Sequence, residues 1–414
     1  MKVLIWHGYL LGGTGSNVYT SSLARAWTRL GHEVVVFAQE PHPERFDLGG
    51  ATFVRPDAGD MLPVFVLDRY EDAEARLLPE LTVAEREAWV ERNAAAVREH
   101  LPADLLFVNH VLLGAPVGVA TGAPFTVKAH GSELEFAIRG NEELAAWARE
   151  TLAGADDVLA GSEHIHRVLE EVVGPGGYLD RVRIVPPGVD VDALRPEPRA
   201  QALARLLEEA RLDPPRVGER YPDPGNAERL ESFLGGDGPT VVYVGKLSQE
   251  KGVGLLLEAL ERVDARSVVV GFGPERAALE EAAAGRPVLF TGPLEHRHLA
   301  HLWALADVSV TPSTFPEAFG MVAAEAAACG SPPLVARHSG LAEIAEGLEA
   351  EYPAEHRALA SFANGDVDEL AAKLTAILAL PDEERRLLGA AARRAAESHW
   401  SWERIATLIL SARG

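Results

Sequence analysis

At 414 residues the chain is longer than one ordinary hydrophobic core needs, so two domains are expected. With 47% hydrophobic and 24% charged residues it has the composition of a globular protein, and a net charge of −23 argues against nucleic acid as a partner. The single cysteine, Cys329, excludes an intramolecular disulfide and favours a cytoplasmic location.

The N-terminal residues, MKVLIWHGYLL, predict a buried strand rather than a signal peptide, because His7 and Gly8 interrupt the apolar run. No segment reaches the roughly 20 apolar residues that span a bilayer. The strand KVLIW is followed by a glycine loop, GYLLGGTGS, an amphipathic helix, NVYTSSLARAWTRL, and a strand, EVVVFA. This order predicts a βαβ unit with the glycine loop between its first strand and its helix.

Further strands are predicted in DLLFVNH, FTVKAH, DVLAGS and RVRIVPP, with helices between them. Parallel strands joined by helices predict a doubly wound, Rossmann-like domain over residues 1–186. The following segment, 186–198, has the proline and glycine density of a link between domains. A variable insertion at about 199–237 is expected to contain one helix, RAQALARLLEEARL, and an irregular, mobile stretch, DPPRVGERYPDPGN.

A second series of strands, TVVYVGK, SVVVGFG, PVLFTG and DVSVTPS, predicts a second Rossmann-like domain over residues 187–397. The last residues, about 398–414, are expected to cross back to the first domain. Their apolar anchors would be Trp400, Trp402, Ile405, Leu408 and Ile409. Because ligands bind beyond the carboxyl ends of parallel strands, the two domains are expected to face each other across a ligand-binding cleft.

The first glycine loop contains Gly12, Gly13 and Gly15, but Val18 stands at the third glycine of a dinucleotide-binding fingerprint. Glu40, after the second strand, could serve as the ribose-binding acid of that fingerprint. An NAD(P)-dependent oxidoreductase therefore stays an alternative. A glycine loop before a helix also offers backbone N–H groups to an anion.

Lysine is rare among the 39 basic residues, yet Lys246 and Lys251 lie in one segment, VGKLSQEKG, at a predicted strand end. The segment is no P-loop, because Leu247 replaces the serine or threonine that would hold magnesium. Two compact positive charges at a strand end indicate phosphate binding.

The segment PEAFGMVAAEAAACG carries Glu317 and Glu325 on what the pattern predicts to be a helix from Pro316 to Gly330. Eight helical residues separate the two carboxylates by roughly 12 Å, which is too far for an acid and base acting on one bond. The spacing suits two points on an elongated ligand. Gly320 and the free N–H groups of a helix start between them would favour an anion, so the segment suits a nucleotide diphosphate sugar.

Taken together, these segments resemble the family-4 retaining glycosyltransferases of the GT-B fold. The resemblance covers nearly the whole chain outside 199–237 and parts of 41–100. It is carried by GGTGSNVYTSSLARAWTRLGHEVVVFA, AHGSELE, IVPPGVDVDALRP, VGKLSQEKG, VVVGFGPE and PEAFGMVAAEAAACG. It implies transfer of a hexosyl group from a UDP- or GDP-linked sugar to an acceptor hydroxyl, with retained anomeric configuration and without a metal.

The resemblance also implies roles for single residues. Glu317 would contact hydroxyls of the donor sugar, and Glu325 would hold the nucleotide ribose. Lys246 and Lys251 would bind the diphosphate, while His130 of AHGS would reach the sugar from the opposite domain. These positions, with Glu317, make up the predicted catalytic set His130, Lys246, Lys251 and Glu317. The other predicted donor-binding positions are Gly12, Gly13, Gly245, Gly271, Gly273, Leu294, Phe319, Gly320, Met321, Val322 and Glu325.

No metal site is predicted. Asp190 and Asp192 imitate a metal-binding DxD pair but lie in the link, and the histidines of EHRHLAH lack another strong ligand. The expected partners are the nucleotide-sugar donor and a small-molecule, saccharide or lipid-linked acceptor; the oligomeric state is left open. A nucleotide-sugar-binding protein without transferase activity is the second alternative.

Overall fold

The computed structural model describes residues 1–59, 61–66, 74–214, 218, 220–236 and 238–411. The chain divides into two compact units. The N-terminal unit consists of Met1–Gly188 and the residues from Trp402 onward, and the C-terminal unit is Val189–Ser401. Each unit has a parallel sheet of its own.

The N-terminal unit contains nine described strands. They are β1 (Lys2–Trp6), β2 (Glu33–Phe37), β3 (Thr52–Val54), β4 (Met61–Val64), β5 (Glu74–Leu77), β6 (Leu105–Asn109), β7 (Phe125–Lys128), β8 (Asp157–Ala160) and β9 (Val182–Ile184). Seven form one parallel sheet in the order β3-β2-β1-β6-β7-β8-β9, and β4 pairs separately with β5. The strand order reverses between β1 and β6, which is the switch point where doubly wound sheets bind ligands.

The helices of this unit fill the connections. They are α1 (Gly15–Arg29), α2 (Val83–Arg98), α3 (Gly114–Thr121), α4 (Gly131–Glu133), α5 (Glu142–Leu152) and α6 (Glu163–Val173). Short 3-10 turns occur at Pro43–Arg45, Leu78–Glu80 and Leu179–Arg181, and a π-helical turn at Leu134–Ile138. Thr82 begins α2 through a capping box with Glu85, whose carboxylate accepts the Thr82 N–H at 2.8 Å.

The central strand β1 shows why this sheet has helices on both sides. Leu4 and Trp6 belong to one buried apolar cluster, while Val3 and Ile5 belong to another. Alternate residues of a strand point to opposite faces, so both faces of the sheet are covered. Part of the second cluster comes from the C-terminal helix Trp402–Leu410, onto whose Ala406 carbonyl the indole of Trp27 donates a 3.0 Å hydrogen bond.

Trp400 does not share this role. It was expected to anchor the C-terminal segment on the first domain, but its side chain belongs to the core of the C-terminal unit. Trp402 and Ile405, also expected as anchors, do belong to the N-terminal unit's core.

The C-terminal unit has a six-stranded parallel sheet. Its strands are β10 (Thr240–Val244), β11 (Arg266–Val270), β12 (Val288–Phe290), β13 (Val308–Thr311), β14 (Pro333–Ala336) and β15 (Ser361–Phe362). Their order, β12-β11-β10-β13-β14-β15, is the Rossmann order 3-2-1-4-5-6. The switch point of this sheet lies between β10 and β13.

The helices of the C-terminal unit follow the same pattern. They are α7 (Arg199–Arg211), α8 (Asn226–Leu234), α9 (Val253–Ala259), α10 (Arg276–Ala282), α11 (His296–Trp303), α12 (Met321–Ala328), α13 (Ser339–Glu351), α14 (Val367–Leu378) and α15 (Asp382–Ala395), and the C-terminal helix described above is α16 (Trp402–Leu410). Short 3-10 turns occur at Gln249–Lys251, Leu260–Arg262 and Ala354–Leu359, and a π-helical turn at Ala396–Trp400. Within the described residues, no helix has both the length and the apolar character needed to cross a bilayer.

The predicted insertion, 199–237, is more regular than its sequence indicates. Besides the expected helix α7 it contains α8, and Leu206 and Leu230 from these helices are buried in the core of the unit. Asp223 binds the guanidinium of Arg276, and its N–H donates to the Thr291 carbonyl at 2.8 Å. Residues 215–217 and 219, which belong to the stretch expected to be mobile, lie outside the described residues, as does residue 237 of the insertion.

Candidate active site

The strands β10 and β13 are neighbours, and the loops at their carboxyl ends meet at the switch point of the C-terminal unit. The first loop carries Lys251 and the second carries Glu317. The Lys251 ammonium forms an ion pair with the Glu317 carboxylate, and the two side chains are 35% and 22% exposed. Two residues that lie far apart in sequence, both predicted to be catalytic, are thus brought into contact at a surface open to solvent.

Lys246 lies in the same loop with its side chain exposed. Its carbonyl accepts a hydrogen bond from the Tyr243 hydroxyl at 2.9 Å, and the neighbouring Gly245 N–H donates to the Val270 carbonyl at 3.0 Å. Within the described part of the chain, no carboxylate forms an ion pair with the Lys246 ammonium. The backbone of the loop is therefore fixed while this charge faces solvent.

Gly271 and Gly273 have a packing role at this loop. Their φ angles are 142° and 155°, and a β-carbon on Gly271 would lie 1.8 Å from the Gly245 carbonyl oxygen. A β-carbon on Gly273 would lie 2.3 Å from the carbonyl oxygen of Leu247. Both glycines are required by the close approach of the two loops, and their contact with a donor stays a prediction.

The helix predicted from Pro316 begins later. The structure places α12 at Met321–Ala328, so Glu317 lies in the preceding loop and the 12 Å spacing argued from helical geometry does not apply. Gly320, with φ at 120°, turns the chain here, and a β-carbon on it would lie 2.7 Å from Leu341. The expected separation of Glu317 and Glu325 along one helix was therefore wrong.

A network of hydrogen bonds holds the Glu317 loop. The Glu317 N–H donates to the Ser339 hydroxyl at 2.9 Å, and the Gly340 N–H donates to the Glu317 carbonyl at 3.0 Å. The hydroxyl donates in turn to His338 Nδ1 at 3.0 Å, and His338 Nε2 donates to the Ser313 carbonyl at 2.6 Å. Ser339 has a left-handed backbone, φ 46°, which is uncommon for residues other than glycine. Sequence reasoning missed this network.

Glu325 lies on α12 with a nearly buried side chain, 12% exposed. His296, at the start of α11, donates from Nε2 to the Glu325 carboxylate at 3.4 Å, and this hydrogen bond raises the pKa of His296. No sequence pattern connects His296 with Glu325. Its ring is 70% exposed, so the pair is accessible to a ligand.

The three histidines of EHRHLAH do not converge. His296 faces Glu325, His298 Nε2 lies 3.1 Å from an Asp213 oxygen, and the His301 ring is 2.9 Å from Glu197. Within the described ranges, no group of three or more histidine, cysteine or acidic side chains is arranged to hold a metal ion.

Four predicted donor-binding positions contribute side chains to the core of the C-terminal unit. Phe319 is buried, with its ring centroid 6.1 Å from that of Trp400. Met321, Val322 and Leu294 are half-buried and pack against the same core. Packing in the core therefore accounts for the apolar character of these four side chains. Contact between their backbone and a donor stays a prediction.

In the N-terminal unit, His130 follows β7 and lies beside the end of β6. Its Nε2 donates to the Asn109 side-chain oxygen at 2.9 Å, which leaves Nδ1 as the acceptor nitrogen of a neutral ring. Burial lowers the pKa of His130 well below its usual range, and the nearby Lys128 and His7 lower it further. The ring is therefore an uncharged hydrogen-bond acceptor at neutral pH.

Two side chains, those of Asn17 and Glu40, hold the backbone of the glycine loop in this unit. The Gly12 carbonyl accepts from the Asn17 amide, and Gly13 is exposed. Glu40 is buried, and its carboxylate accepts the Leu11 N–H at 3.1 Å. Because that carboxylate supports the loop from inside, it does not serve as the ribose-binding acid of an oxidoreductase.

Two Rossmann-ordered units in one chain are the arrangement of the GT-B fold, and the lysine–glutamate contact lies at the switch point of the second unit. The profile described as Glycosyltransferase Family 4 matches residues 13–193, and the one described as Glycosyl transferases group 1 matches 226–395. The chain belongs to glycosyltransferase family 4 and is a retaining enzyme that transfers sugar from a nucleotide-sugar donor to an acceptor. The stretch between the two matches, 194–225, overlaps the predicted insertion.

Curated relatives agree with this assignment. The D-inositol 3-phosphate glycosyltransferase of Xylanimonas cellulosilytica is 29% identical over 96% of this chain and 90% of its own length. The GDP-mannose-dependent alpha-(1-6)-phosphatidylinositol dimannoside mannosyltransferase of Mycobacterium tuberculosis is 38% identical over 42% of this chain and 43% of its own. The predicted family and glycosyl transfer are confirmed, and the oxidoreductase alternative is wrong.

Solved structures confirm the fold. Sucrose-phosphate synthase from Thermosynechococcus elongatus superimposes with a TM-score of 0.67 at 21% identity, covering 99% of this chain and 98% of that one. Anabaena HepE in complex with UDP-glucose gives a TM-score of 0.66 at 16% identity, covering 99% and 98%. The predicted GT-B fold is therefore confirmed.

Proposed function

We propose that the C-terminal unit binds a UDP- or GDP-linked hexose, with Glu325 on the ribose hydroxyls and Glu317 on hydroxyls of the sugar. The observation that carries this proposal is the contact of Lys251 with Glu317 at the switch point, because it gathers a phosphate-binding charge and a hydroxyl-binding carboxylate where such sheets bind ligands. Both nucleotides have support, since one relative is GDP-mannose-dependent and HepE was solved with UDP-glucose.

The diphosphate would lie against Lys246 and Lys251, with Gly245, Gly271, Gly273 and Leu294 around the donor. Backbone N–H groups at 319–322 add a favourable partial positive charge at the start of α12. These groups stabilise the negative charge that grows on the leaving phosphate, so no metal is required. The leaving phosphate accepts the proton of the acceptor hydroxyl as the new glycosidic bond forms, and no protein nucleophile is assigned.

The N-terminal unit would complete the site. His130 would contact the donor sugar, and the loop at Gly12 and Gly13 would cover the donor phosphates or the acceptor. The reaction would take place in the cytoplasm. The acceptor would be a small-molecule, saccharide or lipid-linked alcohol; the relatives' names contain inositol phosphate and phosphatidylinositol mannosides.

A donor panel tests the proposal. Purified protein is incubated with UDP-, GDP- and ADP-linked hexoses and with inositol phosphates or phosphatidylinositol vesicles as acceptors, and free nucleoside diphosphate and product mass are measured. A UDP- or GDP-hexose should release nucleotide and give a product heavier by one hexosyl group. Turnover with ADP-sugars alone would contradict the proposed donor.

Removing the Ser339 hydroxyl should lower kcat about tenfold, because the Glu317 N–H loses its partner and the loop is no longer held. Two variants distinguish the effect of losing the hydroxyl from the effect of backbone strain. Both Ser339→Ala and Ser339→Gly remove the hydroxyl, but only glycine adopts the left-handed backbone without strain. Both variants should lose activity to the same extent. Full activity in Ser339→Gly would show that the hydroxyl is dispensable.

Donor affinity should fall on acidification. The Glu325 carboxylate raises the pKa of His296, so below that pKa the imidazolium pairs with Glu325 and competes with ribose hydroxyls. Because the His296 ring is largely exposed, solvent weakens the pair, so Kd for UDP or GDP should rise about two- to fivefold more in the wild type than in His296→Gln between pH 8 and 6. Comparing the variants by calorimetry cancels titration of the nucleotide itself.

His301→Gln is the matched control for this measurement, because His301 faces Glu197 instead. It should keep the pH dependence of the wild type. An unchanged pH dependence in His296→Gln would contradict competition at Glu325.

A further inference from the structure

Glu133 is a fully buried carboxylate in the N-terminal unit that the proposed chemistry does not use. Its Oε1 accepts the His130 N–H at 3.0 Å, and its Oε2 accepts the Leu112 N–H at 3.1 Å. His130 follows β7 and Leu112 follows β6, which are neighbouring strands. One carboxylate therefore joins the loops that follow two neighbouring strands and fixes the position of the His130 backbone relative to the sheet.

A row of neighbouring imidazoles extends this connection to the glycine loop. The His110 ring lies 4.6 Å from the ring of His130 and 5.6 Å from that of His7. His110 has a left-handed backbone, φ 74°, and neither ring nitrogen has a hydrogen-bond partner among the described residues. His7 Nε2 donates to the Asn17 side-chain oxygen at 2.8 Å, and Asn17 holds the Gly12 carbonyl.

The imidazoles that face Glu133 are neutral. Burial lowers the pKa of His7 to about 4 and holds the pKa of His110, whose Nδ1 is 3.8 Å from Glu133, well below its usual range. His130 is neutral for the same reason, and the Lys128 ammonium donates to a backbone carbonyl at 2.6 Å. Burial raises the pKa of Glu133 to about 7.

We propose that Glu133 is a positioning residue for glycosyl transfer, whose carboxylate holds the His130 loop and, through the neighbouring imidazoles of His110 and His7, the glycine loop. The inference rests on the proposed role of His130. An ionised carboxylate offers two acceptor oxygens to the two N–H groups. A protonated acid or an amide keeps one acceptor and turns a donor toward the other N–H, so the loop is no longer held in place.

Ionisation of Glu133 should therefore raise activity while it lowers stability. A carboxyl whose pKa is raised in the folded state stabilises the fold when protonated, and this contribution is lost as pH rises through about 7. The buried histidines have lowered pKa values, so they make the fold less stable as pH falls below about 6.5. The difference in Tm between the wild type and Glu133→Gln, taken at each pH, isolates the contribution of Glu133 to stability. A purely structural carboxylate would make activity and stability change together.

The test compares Glu133→Gln, Glu133→Asp and the control Glu135→Gln between pH 6 and 8, measuring kcat, donor KM, Kd for UDP or GDP, and Tm. Glu135 is two residues away and pairs with Arg139 at the surface. Glu133→Gln should lower kcat about 10- to 100-fold at pH 8 and leave Kd within about twofold, because the nucleotide site lies in the other unit. Glu133→Asp should retain more activity, and Glu135→Gln should match the wild type.

Wild-type kcat should fall as pH drops through about 7, and kcat of Glu133→Gln should not. Wild-type kcat in Glu133→Gln, or a loss no larger than its loss of folded protein, would overturn the inference. If that variant does not fold, a wild-type kcat that is constant from pH 8 to 6 overturns it instead. His130→Ala is measured in parallel: full activity there refutes the proposed role of His130, whereas loss there with normal Glu133→Gln refutes only this inference.

Discussion

Lys251→Ala should lower kcat by about 100-fold or more, the usual cost of removing one group that stabilises charge in a transition state. Lys251 is the cation in contact with Glu317 at the strand ends of the C-terminal unit. Its loss removes stabilisation of the leaving diphosphate and leaves the Glu317 carboxylate without its partner. Steady-state kinetics with the donor identified by the panel measure the effect.

The split between kcat and KM distinguishes the two roles that Lys251 could have. Charge on the diphosphate grows as the bond to the sugar breaks, so kcat should fall by more than KM rises. Lys373→Ala is the control lysine, because its ammonium binds Glu369 at 2.8 Å and a backbone carbonyl away from the predicted site residues. A change confined to KM in Lys251→Ala would show ground-state binding only.

Glu325→Ala should weaken binding of UDP or GDP about 10- to 100-fold, because hydrogen bonds to a charged group contribute about 1.5–3 kcal/mol. Glu317→Ala should leave that affinity nearly unchanged and instead weaken selection of the complete donor, since its carboxylate is assigned to the sugar. Calorimetry with the nucleoside diphosphate and with the intact donor separates the two effects.

Equal losses of nucleoside diphosphate affinity in the two variants would refute this division of roles. His296 contacts Glu325, so the double variant His296→Ala/Glu325→Ala is the control for a change that originates in the histidine. It should bind the nucleotide as weakly as Glu325→Ala alone.

The fold was largely predictable because its strands are short apolar runs between turn residues. The predicted strands KVLIW and TVVYVGK correspond to β1 and β10, the centres of the two sheets. Strands β14 and β15 were missed, because β14 begins with a proline and β15 has only two residues. Helix α8 was missed because the residues before it are rich in proline and glycine, which is typical of irregular chain. Its Leu230 is nevertheless buried in the core.

The site was predictable only in part. Lysine rarity and glutamate spacing pointed to Lys251 and Glu317, but not to their contact, which depends on the order of β10 and β13. The start of α12 was misplaced because Pro316 imitates a helix start, whereas the turn at Gly320 is set by packing. A buried polar residue such as Glu133 produces no periodic hydrophobic pattern in the sequence, because its hydrogen-bond partners follow neighbouring strands.

A crystal structure with bound UDP or GDP tests most directly the claim that the C-terminal unit holds the donor nucleotide. The ribose hydroxyls should lie within hydrogen-bond distance of the Glu325 carboxylate, with the β-phosphate beside Lys251 and the start of α12. A nucleotide bound instead at the glycine loop around Gly12, with Glu325 making no contact to it, would contradict the claim.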